Sequence, residues 1–252
     1  MIMQTRRKFL TTTIGAAVIL PYASLAAGKG FDTFQGHTSK ITVHPISHAS
    51  FVMQVPGMVI YNDPVGNAAA YTHLPPPDLI LLTHHHSDHY APETLNALVV
   101  KGTRILANPT VYEKLSETLK AKATSISNGQ DTSYDAVKIE AIAAYNTTEA
   151  RMKYHPKGRD NGYVINVDGL RFYSAGDTED VAEMRALKHI DVAFLPMILP
   201  YTMDAKQAVS AVEAFKPTFV YPYHYKKPYA KQFTKLVSQG SSGAQVMDGA
   251  WY

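Results

Sequence analysis

His84, His85, His86, Ser87, Asp88 and His89 follow one another without a break. Read as His-x-His-x-Asp-His, the run offers three imidazoles and a carboxylate within about one turn of backbone. Imidazole nitrogen and carboxylate oxygen are the donors that hold borderline metals such as zinc. The ordinary alternatives are a solvated histidine loop, a patch that binds metal by accident, or an affinity tag. A tag sits at a terminus and lacks the acid; this run is internal and contains Asp88.

The neighbours of the run say how it is positioned. Residues 79–83 form a short continuous apolar stretch after Pro75-Pro76-Pro77, which reads as a buried strand. Pro92 and Glu93 behind the run suit the first turn of a helix over 92–100. The histidines therefore belong on a strand-to-helix loop at the carboxyl end of a buried strand, where open α/β sheets place their ligand sites.

Two more segments have the same form. Ser174-Ala175-Gly176-Asp177-Thr178 follows an apolar strand over 170–174, with Gly176 able to turn sharply. His224 follows a strand over 218–223. Taken alone, Asp177 reads as a turn or cap residue and His224 as a packed histidine. Their shared placement after apolar strands favours a common site.

The remaining pattern predicts strands over 41–46, 50–55, 58–62, 104–107, 137–144, 162–167, 191–195 and 244–247. Helices are expected over 110–121, 180–187, 205–215 and 229–238, and residues 28–40 read as a polar lead-in. Strands dominate first and then alternate with helices, which suggests layered sheets with helices outside.

Residues 1–27 read as something other than fold. Arg6, Arg7 and Lys8 precede an apolar run over 9–20 and small residues up to Ala27. This has the form of a twin-arginine export signal, which would leave residues 28–252 as a single exported domain in the periplasm. The apolar run is too short for a comfortable membrane span. The chain carries 24 basic and 21 acidic residues; without Arg6, Arg7 and Lys8 the balance is 21 against 21. No field for nucleic acid is left. The absence of cysteine excludes thiolate ligands, disulfides and a cysteine nucleophile.

With these motifs in order, the chain resembles the metallo-β-lactamase superfamily over roughly residues 40–252. It is most similar to the small stand-alone hydrolases of the ascorbate-6-phosphate lactonase-like and phospholipase D-like branches. Supporting segments are His48-Ala49-Ser50-Phe51, Asp63-Pro64, Asn161-Gly162-Tyr163 and Tyr201-Thr202-Met203. The resemblance implies an α/β (α+β) fold, a four-layer αββα sandwich, with two divalent metal ions, both zinc or, as the alternative, manganese. It implies that His84 and His86 hold the first ion, that Asp88, His89 and His224 hold the second, and that Asp177 bridges them. Asp63 would orient a ligand histidine from behind. One departure stands out: where the family places a further first-ion histidine, this chain has Asn146. Either Asn146 or His155 is left to take that role, and His155 could instead face the substrate or sit in an exposed loop.

The chemistry implied is hydrolysis of an ester, lactone or phosphodiester. Two cations sharing a water lower its pKa, and Asp88 orients the nucleophile and shuttles its proton. Arg151, Lys153, Lys157, Arg159, Lys226 and Lys227 flank the site. They suit either an anionic small-molecule substrate or an ordinary solvated surface. The rival readings are an iron-dependent redox member of the fold and a non-catalytic metal- or ligand-binding member. Nothing in the residues sets the oligomeric state.

Overall fold

The structure, a computed structural model, describes residues 30–251. The expected export signal lies outside the described residues. Two seven-stranded sheets are laid out in chain order. The first contains β1 (Asp32–Gln35), β2 (Lys40–Ser47), β3 (Ser50–Val55), β4 (Met58–Asn62), β5 (Leu79–Leu82), β6 (Arg104–Ala107) and β7 (Ala123–Ser125). The second contains β8 (Asp131–Tyr134), β9 (Val137–Ala144), β10 (Asp160–Val167), β11 (Leu170–Ser174), β12 (Val192–Met197), β13 (Phe219–Tyr225) and β14 (Gln245–Val246). In each sheet the first four strands are antiparallel and the pairs that follow are parallel. The two halves thus repeat one topology without repeating residues.

Helices α1 (Pro92–Leu98), α2 (Pro109–Lys114) and α3 (Glu117–Lys120) belong to the first half. Helices α4 (Ala182–Arg185), α5 (Ala205–Phe215) and α6 (Lys227–Gln239) belong to the second. Strand β5 shows how the layers arise. Its four apolar residues are all buried: Leu79 and Leu81 join the core between the sheets, while Ile80 and Leu82 pack with Leu95 and Val111 from α1 and α2. A strand covered on both faces needs such a continuous run. The result is the αββα sandwich. Its central layer includes Phe194 stacked between Phe51, at 4.2 Å, and Tyr221, at 5.0 Å. Each such aromatic pair contributes about 0.5–1.5 kcal/mol beyond area burial.

Several expected elements are corrected. Residues 110–121 are two short helices, because Ser116 is extended and caps the second with its hydroxyl toward the Leu119 N–H. The helix expected over 180–187 is confined to α4. The lead-in 28–40 contains β1, whose Phe34 is fully buried against Phe172 and Phe219. Strands β7 and β8 are short and polar, so no hydrophobic alternation announces them; pairing with β6 and β9 makes them strands. Strand β13 runs two residues further than expected and includes His224.

Candidate metal centre

The sequence-predicted residues converge at the carboxyl ends of the parallel strands. Asp63 follows β4, His84 follows β5, Asp177 follows β11 and His224 lies near the end of β13. His86, Asp88 and His89 line the turn before α1, where the His89 N–H donates to the His86 carbonyl at 2.9 Å. His155 comes from the loop before β10. Close backbone approach makes this meeting possible. Gly176 has φ +64°, and a Cβ there would stand 2.7 Å from the Asn161 carbonyl oxygen. A Cβ on Gly162 would stand 2.6 Å from the Ala175 carbonyl oxygen. His48, Asp63 and His224 also have left-handed backbone, with φ of 57°, 41° and 46°. Non-glycine residues adopt that conformation at a cost, and such residues gather at functional sites.

Three groups of donor atoms can each hold an ion: His84, His86 and His155; His48, Asp88, His89 and His224; and His84, His89 and Asp177. Asp177 lies between the first two. Its carboxylate oxygens are 3.2 Å from His89 Nε2, 3.5 Å from His155 Nε2, 3.5 Å from His224 Nε2 and 3.9 Å from His84 Nε2. Asp88 Oδ2 is 3.3 Å from His224 Nε2 and 3.1 Å from His48 Nε2.

The outward faces of the same rings are bonded differently. His89 Nδ1 is 2.8 Å from Asp63 Oδ2, and His155 Nδ1 is 3.0 Å from Asp160 Oδ2. His84 Nδ1 is 3.0 Å from the Thr83 hydroxyl, which itself donates to Asp63 Oδ2 at 2.6 Å. The buried Asp63 therefore fixes His89 directly and His84 through Thr83.

These distances test whether a cation fits. Charge-assisted N–H···O⁻ bonds run at about 2.7–2.9 Å, so contacts of 3.2–3.9 Å at Asp177 are long for them. Donors about 2.0–2.1 Å from a tetrahedral zinc lie about 3.3 Å from one another. The inward Nε2 atoms of His84, His89 and His155 and Oδ1 of Asp177 are all buried without a hydrogen-bond partner. Unpaired buried polar atoms are costly and call for an explanation. A cation among them supplies it; the residues fit the group.

Electrostatics agree. Burial, reinforced by His89, holds the His84 imidazole well below its ordinary 6.5. Burial and the neighbouring His155 bring His86 to about 4, and burial also lowers His224. These rings are neutral at physiological pH, the form that ligates. Burial opposes charge on His89 too, but the carboxylates of Asp177 and Asp63 override it and raise that ring well above 6.5. Burial likewise opposes ionisation of Asp177, yet His224, His89 and His84 hold it well below the usual carboxylate range. Asp88 is held low by hydrogen bonds from His224 and His48 against the effect of burial.

The Asn146 amide is half committed: its Oδ1, the atom that could ligate, is buried without a hydrogen-bond partner. Its Nδ2 donates to the carbonyls of Tyr201, at 2.7 Å, and Arg151, at 3.2 Å. His155 is the nearby side chain that reaches Asp177. The flanking cations are also redirected. Arg151 pairs with the buried Glu179 at 2.5 Å, and Arg159 makes contacts of 2.7 and 2.8 Å to Asp160. Lys157 pairs with Glu183, Lys153 lies over the Tyr154 ring, and Lys226 and Lys227 are exposed. Both arginines are thus paired with buried carboxylates. Sequence reasoning missed His48, Asp160, Thr83 and Glu179. His48 had a signal in the His48-Ala49-Ser50-Phe51 segment; Asp160 and Glu179 had none beyond their type.

The profile of the beta-lactamase superfamily domain matches residues 42–224. The chain belongs to the beta-lactamase superfamily. It is 36% identical over 210 residues to a UPF0173 metal-dependent hydrolase of Thermococcus onnurineus, covering 78% of this chain and 92% of the relative. It is also similar to a crystal structure from Parabacteroides distasonis, provisionally named a metal-dependent hydrolase. That match has 40% identity and a TM-score of 0.80 and covers 88% of this chain and 99% of that one. A metallo hydrolase of Ignicoccus hospitalis matches with 25% identity and a TM-score of 0.68, over 83% of this chain and 95% of its own.

These relatives correct the expectations of a signal peptide, twin-arginine export and a periplasmic location. The hydrolases related in sequence come from archaea such as Thermococcus, Thermoplasma and Pyrococcus, which have no periplasm, and from Gram-positive bacteria. They carry no signal peptide. Two arginines before a short apolar run are a compositional pattern, too weak physically to stand against that finding. Among the described residues no helix is long and apolar enough to cross a membrane.

Proposed function

We propose that the chain hydrolyses an ester, lactone or phosphodiester bond at a centre of two divalent ions. That it is a metal-dependent hydrolase of the metallo-β-lactamase fold rests on its family and relatives. The bond and the ion count are our reading. What carries it is the group of buried, unpartnered donor atoms on His84, His89, His155 and Asp177. His84, His86 and His155 would hold the first ion, Asp88, His89 and His224 the second, and Asp177 would lie between. Three imidazoles without thiolates favour zinc, with manganese as the second candidate.

Ions bound there acidify water and neutralise charge developing on the substrate oxygen. The chain's own residues supply the rest. Asp88 is half-exposed and held through Oδ2 by His48 and His224, so its carboxylate is placed to orient a water and accept its proton at the other oxygen, Oδ1. Asp63 and Asp160 hold the rings behind their reacting faces. A cleft of about 760 Å³ lined by Asn67, Ser87, Tyr90, Glu93 and Thr94 reaches the residue preceding Asp88. It can receive the part of the substrate that does not react.

The test is to strip the protein with a chelator, reload it with zinc or manganese, and assay lactones, thioesters and phosphodiesters. We expect turnover of at least one class that disappears on stripping and returns on reloading. No hydrolysis anywhere in the panel, with metal bound, would refute the proposal. Nothing in the structure favours the iron redox reading or a non-catalytic binder.

A further inference from the structure

We infer that Glu179 is the positioning residue that keeps His155 within the first ligand cluster; the inference rests on the two-ion reading above. Glu179 stands just beyond Asp177 and is fully buried. One oxygen, Oε2, accepts from the Thr147 N–H at 2.7 Å, the Thr148 N–H at 2.7 Å and the Thr147 hydroxyl at 3.0 Å. The other, Oε1, accepts from the Thr148 hydroxyl at 2.8 Å, Arg151 Nη1 at 2.5 Å and Gln207 Nε2 at 3.4 Å. Its backbone N–H donates to the Tyr145 carbonyl at 3.0 Å. A single carboxylate thus ties the exit of β11, which bears Asp177, to the loop that bears His155 and to the start of α5.

That loop needs an anchor. It leaves β9 at Asn146 and doubles back, so that the Asn146 N–H donates to the His155 carbonyl at 2.8 Å. Little apolar packing holds it: Thr147, Met152 and Lys153 are exposed. Asp160 bonds the His155 ring from behind, but it lies beyond the loop on β10 and does not set where the loop starts. Glu179 sets the start, and it does so from the segment that also places Asp177. Charge-assisted bonds of this kind are strong, and a buried network holds its geometry only when every member is satisfied. Without the carboxylate, two backbone N–H groups lose their acceptor, and Arg151 Nη1 keeps only the longer contacts to the Thr202 carbonyl, at 3.3 Å, and Gln207 Oε1, at 3.2 Å. His155 Nε2, now 3.5 Å from Asp177 Oδ2, loses its fixed distance. Asn146 holds its Nδ2 on Tyr201 and Arg151, so only its Oδ1 could stand in for the lost imidazole, and an amide oxygen is a weaker zinc ligand.

The experiment is a zinc titration of the chelator-stripped full chain, read by competition with a chromophoric chelator and by cobalt(II) absorption. It compares wild type, Glu179→Gln, His155→Ala and the double variant. Glu179→Gln preserves shape but loses the charge facing Arg151. It should weaken one of two binding steps about 10–100-fold, the usual cost of removing a residue that orients a ligand. His155→Ala should weaken the same step, and the double variant should be no weaker than His155→Ala alone. Thr148→Val, which removes one bond to Glu179, should shift that step less and serves if Glu179→Gln does not fold. If Glu179→Gln and Thr148→Val bind zinc as wild type does, the inference is wrong. Full additivity with His155→Ala would also overturn it. A wild-type chain with a single binding step would instead sink the two-ion reading.

Discussion

His48, Asp88, His89 and His224 form a cluster that opens to solvent, while His84, His86 and His155 form one that is closed behind. The Asp88 side chain is 47% exposed and that of His48 25%, against 0% for His84 and 1% for His155. The supports differ as well. The open cluster leans on Asp63 at the end of a buried strand, whose other oxygen takes the Thr83 N–H at 2.8 Å. The closed cluster shares that support at His84, through Thr83, but its His155 rides on a loop stitched down by Glu179 and Arg151. A strand end is placed by the sheet, whereas a loop is placed by whatever polar bonds it finds. Solvent reaches the open side at Asp88 and His48, whereas the closed side has one ring, His155, whose place rests on loop bonds.

The largest effect should come from Asp177→Ala, which removes the group the clusters share. We expect both to lose metal and kcat/KM to fall by at least about 10³-fold, the upper scale for deleting one preorganised electrostatic group. Metal analysis that still found both ions would break the picture of a common carboxylate. Asp88→Asn comes next: the second ion should bind more weakly, and kcat at saturating metal should fall about 10²-fold, the lower range for a lost general base. A change in KM alone would mean that Asp88 only binds substrate.

Paired variants then compare the supports. Asp63→Asn should weaken metal binding about 10–100-fold, and by more than Asp160→Asn, because Asp63 serves His89 and, through Thr83, His84. Equal losses in calorimetric titration would erase the distinction between the support Asp63 gives to two rings and the support Asp160 gives to His155 alone. The smallest effect is a control on both clusters. Burial, with His73 adding to it, lowers His44 from 6.5 to about 4. Unfolded, this ring takes its proton near 6.5; folded, it resists until about 4. Its contribution to stability is therefore complete above pH 6.5 and declines as the pH falls towards 4. His44→Gln should flatten Tm against pH across that window without changing zinc affinity. A change in zinc affinity would show that the site is coupled to β2 as a whole.

Much of the fold was legible because apolar runs leave little choice. Strands β3, β4, β9 and β11 and helix α5 run where the pattern placed them. Edge strands β7 and β8 were not, since their hydrogen-bond partners rather than their own residues make them strands. The same division runs through the site. The sequence by itself determined the donor inventory, namely the His84–His89 run, Asp177 and His224, together with the absence of thiolates. Those donors ride on strand ends, so their neighbours in the chain say where they go.

Tertiary structure brought His155 to Asp177 and His48 to Asp88, and paired Arg151 and Arg159 with Glu179 and Asp160. Each of those outcomes depends on a hydrogen bond that no local pattern contains. The Asn146 amide is committed to Tyr201, 55 residues away, and the Thr147 N–H to Glu179, 32 residues away. A loop residue's direction follows from where its backbone polar groups must be satisfied, and in this protein the satisfying partners lie on other elements.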